Sequence, residues 1–335
     1  MAEYKYYLIR RLLTFIPTIL GALFITFIVS HVVPMMPAKA GFARHLNLEA
    51  LKRLEQLYHL DKPWWEQFAY YVRDLFTGHW GTSMMSGRPI FEDLRDYYPV
   101  TVQLAIAGEA LILLIGVPLG IVAAMKQDKW IDYVIRVFSL VAYSMPYFLW
   151  AIGIQLLFYW KLGWFPGIGL GKPPAKIYTG MYLLDSLLCG DWSSFIDNLR
   201  HLFLPAFSLA LPNAGVIARL MRGSLLDALS SEYIDYTRMK GLPERMVVLK
   251  HAMKNAIIPI ITVGGLMFGG LLGGAFITET VFALAGAGRY TVMAVLRSMD
   301  IPVIMATTFL IVMTYLLVNL VVDLLYGAVD PRVRL

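Results

Sequence analysis

Glu109 stands about nine residues inside an apolar run from about Val100 to Met125. An ionised carboxylate at the centre of a bilayer costs roughly 2.5 to 3.5 kcal/mol and needs a partner, a proton or water. Two readings follow: a point on a substrate or ion path, or a structural carboxyl that is protonated or hydrogen-bonded. A second set of reactive side chains lies in one polar segment, about 222–255. There Asp227, Glu232, Asp235, Arg238, Lys240, Glu244, Arg245, Lys250 and Lys254 mix both signs. Other familiar chemistry is missing. The sequence holds no P-loop, no H-E-x-x-H pair, no G-x-S-x-G elbow and no EF-hand loop, and its six histidines lack metal-ligand spacing. Cys189 is the only cysteine, which excludes an internal disulfide, a Cys-based zinc site and an iron–sulfur cluster. No catalytic residue, metal ligand or cofactor-binding residue is expected in this chain, so any energy it uses comes from an ion gradient or a separate protein.

The elements that must position these residues are membrane helices. Of 335 residues, 58% are hydrophobic and 16% charged, against 45–50% and about 25% in soluble domains. Crossing about 30 Å of hydrocarbon at 1.5 Å per residue takes about 20 apolar residues. Six stretches qualify, approximately Leu12–Val33, Val100–Met125, Val137–Trp160, Leu202–Met221, Ala256–Thr278 and Val303–Tyr326. The expected fold class is all-α, a polytopic membrane protein forming one transmembrane domain over residues 1–335. Pro118, Pro146, Pro205 and Pro212 interrupt three spans, as is common in bundles that move.

The net charge of +6 then speaks of orientation rather than nucleic acid. With the N-terminus inside, the inner segments carry 15 of the 29 basic residues and nine acids. The outer segments carry 14 and 13, and eight of those 14 sit in one long loop that the positive-inside rule discounts. Both termini are therefore expected inside. Trp64, Trp65, Trp160, Trp164 and Trp192 fall at outer ends of spans, as interfacial aromatics or as local packing.

Three connecting segments exceed the 2–8 residues usual in bundles. In the outer segment, about 34–99, Asn47 can cap a helix carrying Leu48, Leu51, Leu54 and Tyr58, and a second helix runs from Pro63 to Thr77 and stops at Gly78. That segment reads as a scaffold or as a dock for an external partner. Another, about 161–201, carries a Gly167–Gly171 run that follows no strand and reads as a turn. The inner segment reads as two short amphipathic helices. The first carries Leu225, Leu229, Tyr233 and Tyr236, and the second starts at Pro243. Gly241 suits the left-handed end between them. The mixed signs favour a protein partner over a headgroup surface. Span five carries Gly264, Gly265, Gly269, Gly270, Gly273 and Gly274 in adjacent rows, for close helix packing, a smooth path wall, or both on opposite edges.

These residues resemble the inner-membrane permease subunits of dipeptide and oligopeptide ABC transporters. The likeness rests on Ser231–Leu242, His251–Pro259, Thr278–Phe282, Leu317–Tyr326 and Asp330–Arg332, with Arg10-Arg11-Leu12 and Leu60–Pro63 near the start. It extends over nearly the whole chain. In such permeases the loop after span four, the EAA motif, seats in a groove of the ATPase subunit. The resemblance places Asp235, Tyr236 and Thr237 at the Glu-Ala-Ala positions and Gly241 at the glycine. It thereby assigns Glu232, Tyr233, Asp235, Tyr236, Thr237, Arg238, Lys240, Gly241 and Arg245 to ATPase coupling. Tyr236 and Thr237 depart from alanine, which suggests a groove adapted to a particular ATPase. On the substrate side, Pro34-Met35-Met36-Pro37 and Leu284–Arg289 depart from the peptide group's usual motifs.

The resemblance implies a plasma-membrane importer that works by alternating access. Its partners would be a related permease, two cytoplasmic ATPase subunits holding ATP and magnesium, and an external binding protein, with no nucleic acid. Peptides are the expected cargo, with oligosaccharides or nickel chelates as alternatives. Glu109, Gly265, Gly269 and Gly273 would line the translocation path or pack helices. An ion-coupled secondary transporter using Glu109 lacks the expected inverted repeat, and a membrane enzyme lacks a catalytic constellation.

Overall fold

The computed structural model describes residues 2–32 and 62–329, and among these the regular structure is helical apart from one antiparallel bridge, Thr82 to Pro89. The expected Asn47-capped helix and the Pro34–Pro37 motif lie outside the described residues. Among the described residues, four helices are long and apolar enough to cross a membrane. They are α3 (Ile90–Met125), α7 (Trp192–Leu229), the run Glu244–Gly273 that includes α9 (Met253–Gly274), and α12 (Ile301–Val329), whose apolar part is Ile301–Leu324. The first helix, α1 (Ala2–Val32), contributes a shorter apolar stretch, Leu13–Val29.

The third expected span is not one helix. α4 (Trp130–Ser144) and α5 (Tyr147–Ile154, continued as a π-helix to Lys161) meet at 103°. Pro146 has no N–H to donate and forces its predecessor out of helical geometry, so Met145 is extended at φ −88°, ψ 133°. Span four overruns its expected bounds at both ends. Asp191 caps its start by accepting from the Ser194 N–H at 3.1 Å, and the helix runs to Leu229 with Pro205 and Pro212 inside it. Span five stops earlier than expected, at Gly274. Ala275 separates it from α10 (Phe276–Val281).

The chain divides into two compact units. One comprises Met1–Pro99 and Gly286–Thr314. Within it α2 (Trp64–Thr77) lays Phe68 and Tyr71 against Phe27 of α1 and ends at Gly78, φ +80°, as the sequence predicts. Phe76 and Trp80 pack on Phe309. A hairpin-like turn after α2 is held by two buried carboxylates. Asp300 accepts from the Ser83 hydroxyl at 2.8 Å and the Met84 N–H at 2.6 Å, and Asp93 accepts from Tyr290 of α11 (Ala287–Ser298) at 2.8 Å. Burial pushes the Tyr290 phenol above its usual range, and Asp93 adds to the rise.

The other unit comprises Val100–Ala285 and Tyr315–Leu335. Its axis is α7, whose apolar stretch is 78% buried where those of α3, α9 and α12 are about one-third buried. α7 is nevertheless the least apolar of the four, and the buried polar groups in its middle, Ser208 and Asn213, donate to carbonyls of their own helix. α4, α5, α6 (Tyr182–Leu188) and α9 pack around it. The Gly167–Gly171 run is indeed a turn, tied down by the Gly169 N–H donating to the Phe282 carbonyl at 2.8 Å.

Candidate functional site

The polar segment following α7 is built around one break and one tight turn. At Leu229 the long helix ends, and the Ser230 and Ser231 hydroxyls bond back to the carbonyls of Asp227 and Ala228. This divides the single first helix expected here: Leu225 and Leu229 belong to α7, while Tyr233 and Tyr236 belong to α8 (Glu232–Met239). Serines at such a point offer the backbone an alternative to the helical ladder. Gly241 then reverses the chain at φ +74° and donates its N–H to the Arg238 carbonyl at 2.9 Å. A side chain costs roughly 1–2 kcal/mol in that conformation.

Pro243 is the cap of the next helix rather than its first residue, with ψ at 140°. The helix it opens begins as Glu244–Met246, widens into a π-helical stretch Val247–Ala252 and continues into α9. The second short helix expected here is thus the foot of span five, joined to it without a turn. The loop is continuous with a long helix on the α9 side and joined to α7 through the Ser230–Ser231 break on the other.

Burial sorts the segment into two faces. Ile234, Thr237, Val247, Val248 and Ala252 turn inward. Thr237 donates to the Tyr233 carbonyl at 2.7 Å, so of the three residues at the Glu-Ala-Ala positions it serves as an anchor within the chain. Glu232, Tyr233, Asp235, Tyr236, Arg238, Lys240, Gly241, Glu244 and Arg245 are exposed. Tyr236 is 63% exposed and Met239 80%, so two large side chains are presented outward where sequence reasoning identified only the tyrosine.

Arg238 ties the two arms together, donating to Glu244 at 2.8 Å and lying 3.5 Å from Asp235. The hydrogen bond to Glu244 raises the Arg238 pKa. Lys240 sits 5.0 Å over the Tyr236 ring, and Asn255 donates to the Tyr233 hydroxyl at 2.8 Å. Beside the Arg238–Glu244 pair, a cavity of about 520 Å³ opens between the ends of α3 and α7, with Met125, Leu226 and Leu229 in its wall. The arrangement is a braced projection bearing an amphipathic face, suited to seating in another protein.

A further buried group was invisible in the sequence. Asp132, 0% exposed, accepts from Arg222 at 2.7 and 2.8 Å, with Arg136 at 3.4 Å and the Asp128 N–H at 3.1 Å. Arg136 is one helical turn away and could be guessed at i,i+4 spacing. Arg222 is 90 residues away, and no local signal pairs it.

Inside the bundle, both Glu109 carboxylate oxygens are enclosed and have no hydrogen-bond partner among the described residues. A Cβ built on Gly264 would stand 3.0 Å from Glu109 Oε1. One at Gly265 would meet Val322 at 2.2 Å, and one at Gly269 would meet Tyr315 at 2.8 Å. These glycines therefore let α9 approach α3 on one side and the second half of α12 on the other. Gly270 has nothing within 4 Å, leaving a smooth edge, and Gly273 is half-buried. Close approaches onto backbone lie elsewhere, at Gly116 and Gly120 of α3, where a Cβ would stand 2.8 Å from the Ala214 and 2.6 Å from the Ala218 carbonyl oxygen of α7. Their four-residue spacing is the signal that could have found them.

This helical frame and its braced loop can be set beside known proteins. Residues 116–335 match the model of the binding-protein-dependent transport system inner membrane component, and residues 4–105 match that of its N-terminal region. The chain belongs to that family. It is 39% identical to the dipeptide transport system permease protein DppB of Alkalihalophilus pseudofirmus, over 98% of this chain and 99% of that one. It is 43% identical to the probable D,D-dipeptide transport system permease protein DdpB of Escherichia coli K12, over 93% of each. The glutathione transport system permease protein GsiC of Salmonella typhi is 34% identical over 98% of each. In fold the chain is similar to an inward-facing structure of the MetNI methionine ABC transporter, with a TM-score of 0.51 and 15% identity over 69% of this chain and 93% of that one. The inner-membrane transport component is thus an all-α, multi-pass membrane protein of the ABC importer permease fold. The family is that of a transport component, not a catalytic subunit.

Proposed function

We propose that this inner-membrane component is one permease subunit of an ATP-driven importer of peptides. It has six spans and both termini in the cytoplasm, and it is paired with a related permease. Two ATPase subunits hydrolyse ATP below it, and an external binding protein delivers cargo from the other side. The observation that carries this reading is the braced projection between α7 and α9, a rigid stem ending in the exposed Tyr236, Met239 and Lys240. A projection that runs without a turn into α9 and is tied across its two arms by Arg238 and Glu244 can pass a push at its tip to the membrane interior. A loop held only by its ends could not.

ATP-driven closure of the ATPase pair moves α8 as a lever and opens the cavity toward the binding protein, and hydrolysis reverses the motion. The cargo gains direction only because its differential contacts with the two states are coupled to that cycle. Peptide is favoured as cargo because two of the relatives above are named for dipeptide transport.

The test is uptake by the complete complex in liposomes, with wild-type or catalytically dead ATPase subunits and an ion gradient present. Uptake is expected only with the active ATPase, and uptake that survives the dead one would overturn the reading. The cargo is checked by identifying what co-purifies with the binding protein. Peptides are expected, and an oligosaccharide or a nickel chelate would replace the peptide assignment.

A further inference from the structure

The bent pair α4–α5 has no continuous backbone link to the projection, yet it is fastened to α7 at three levels. Near the break, the Tyr147 hydroxyl of α5 donates to Asn213 Oδ1 at 3.1 Å. One helical layer further along, α4 lies against the bare side of Gly215, where a Cβ would stand 2.9 Å from the Ser139 carbonyl oxygen. At the start of α4, Arg222 forks onto Asp132. Arg222 is seven residues before the end of α7, so the fork lies about 10 Å from the break into α8. Of the three attachments it is nearest to the projection.

The fork is also the attachment that specifies geometry. Trp130, Tyr133 and Val134 of α4's first turns are all more than half exposed, so apolar packing holds this end weakly. Asp132 is 0% exposed and the Arg222 side chain 18%. A buried ion pair adds little net stability over well-packed apolar residues, because desolvation offsets the attraction, and its best-attested use is to fix one register. A bidentate fork allows one relative placement of the two helices where apolar packing allows sliding.

We infer that Asp132 and Arg222 are positioning residues that make the broken span follow the ATP-driven lever. A displacement of α8 is carried by the foot of α7. The fork obliges the start of α4 to move with it, so the motion reaches the 103° break at Ser144–Pro146. Without the fork, α7 moves and α4 lags, and ATP is hydrolysed without cargo crossing. This rests on the reading of α8 as the seat of an ATPase subunit.

The test uses the complete complex in liposomes, with its binding protein and radiolabelled dialanine, and measures ATP hydrolysed per dipeptide imported. In Asp132→Asn and Arg222→Gln, ATPase activity per assembled complex is expected to persist while the ratio rises by about tenfold, the scale at which coupling energies are modulated. The reciprocal exchange Asp132→Arg with Arg222→Asp is expected to bring the ratio back toward wild type. A wild-type ratio in the neutralised variants overturns the inference. So does a parallel loss of hydrolysis and uptake that the exchange does not rescue, since that is what a purely structural pair would show. If the neutralised variants do not assemble, Arg222→Lys decides, because it keeps the charge and loses the fork: a raised ratio supports the clamp and a wild-type ratio overturns it. Absence of ATP-dependent uptake in the wild-type complex is a different result, which removes the importer reading and the clamp with it.

Discussion

Gly120 of α3 lies so close to Met221 of α7 that a Cβ added to it would stand 2.5 Å from the Met221 Cβ and 2.6 Å from the Ala218 carbonyl oxygen. Backbone on one side and a side-chain root on the other leave nothing flexible to give way. Gly120→Ala is expected to destabilise the protein by about 1–3 kcal/mol, the usual cost of overpacking. Gly270→Ala, with nothing within 4 Å, is the contrast. It is expected to be neutral or slightly stabilising, since alanine is the better helix former. Thermal unfolding of the two variants in detergent checks both, and equal Tm values would contradict the close approach.

Asp300 is the hub of the turn after α2. Asp300→Ala leaves the buried Ser83 hydroxyl and the partly buried Met84 N–H without their acceptor. Each orphaned donor costs about 1–3 kcal/mol. Hydrogen exchange is expected to accelerate across residues 82–89 while α7 keeps its protection. Unchanged exchange there would show that the turn is held by something else.

Glu109 bears on how the bundle is packed. Its enclosed carboxyl oxygens have no donor among the described residues, so replacing the side chain by an apolar one of similar volume removes a desolvation cost and no hydrogen bond. Glu109→Met is expected to leave the Tm unchanged or raise it, by up to about 1 kcal/mol in stability. Gly264→Val acts in the other direction, because its Cβ would already be 3.0 Å from Glu109 Oε1. A clear fall in Tm for Glu109→Met would reveal a donor that the fold supplies to this carboxyl.

Gly241 combines a positive φ of +74° with an N–H that the Arg238 carbonyl needs. Proline is locked near φ −65° and has no N–H. Gly241→Pro is therefore expected to abolish uptake while ATP hydrolysis continues and membrane insertion is normal. Gly241→Asn is expected to retain most of the coupling, since asparagine visits the left-handed region at modest cost. Membrane fractionation with paired uptake and ATPase assays checks this, and normal coupling in the proline variant would remove the lever assignment.

Much of the site was legible because its signals are local. The Gly241 turn and the polar residues between spans four and five all lie within about 30 residues of one another. The helical stop at Ser230–Ser231 was missed because apolar spacing runs straight through it, from Leu225 to Tyr236. Periodicity reports which face is apolar, and it does not report where side-chain hydroxyls divert the backbone. The break of span three was marked by Pro146, but a proline announces a kink without setting its angle.

Composition, periodicity and motif spacing alone determined that this is a helical membrane protein whose sequence holds no familiar catalytic motif, and that a mixed-charge segment joins spans four and five. Those properties follow from transfer free energy and backbone geometry, which act residue by residue. Only the tertiary structure decided that Asp132 meets Arg222 across 90 residues, that Thr237 turns in while Met239 turns out, and that Gly120 lies against the backbone of α7. Each of these depends on which helix faces which, and that choice is settled by how whole surfaces fit together.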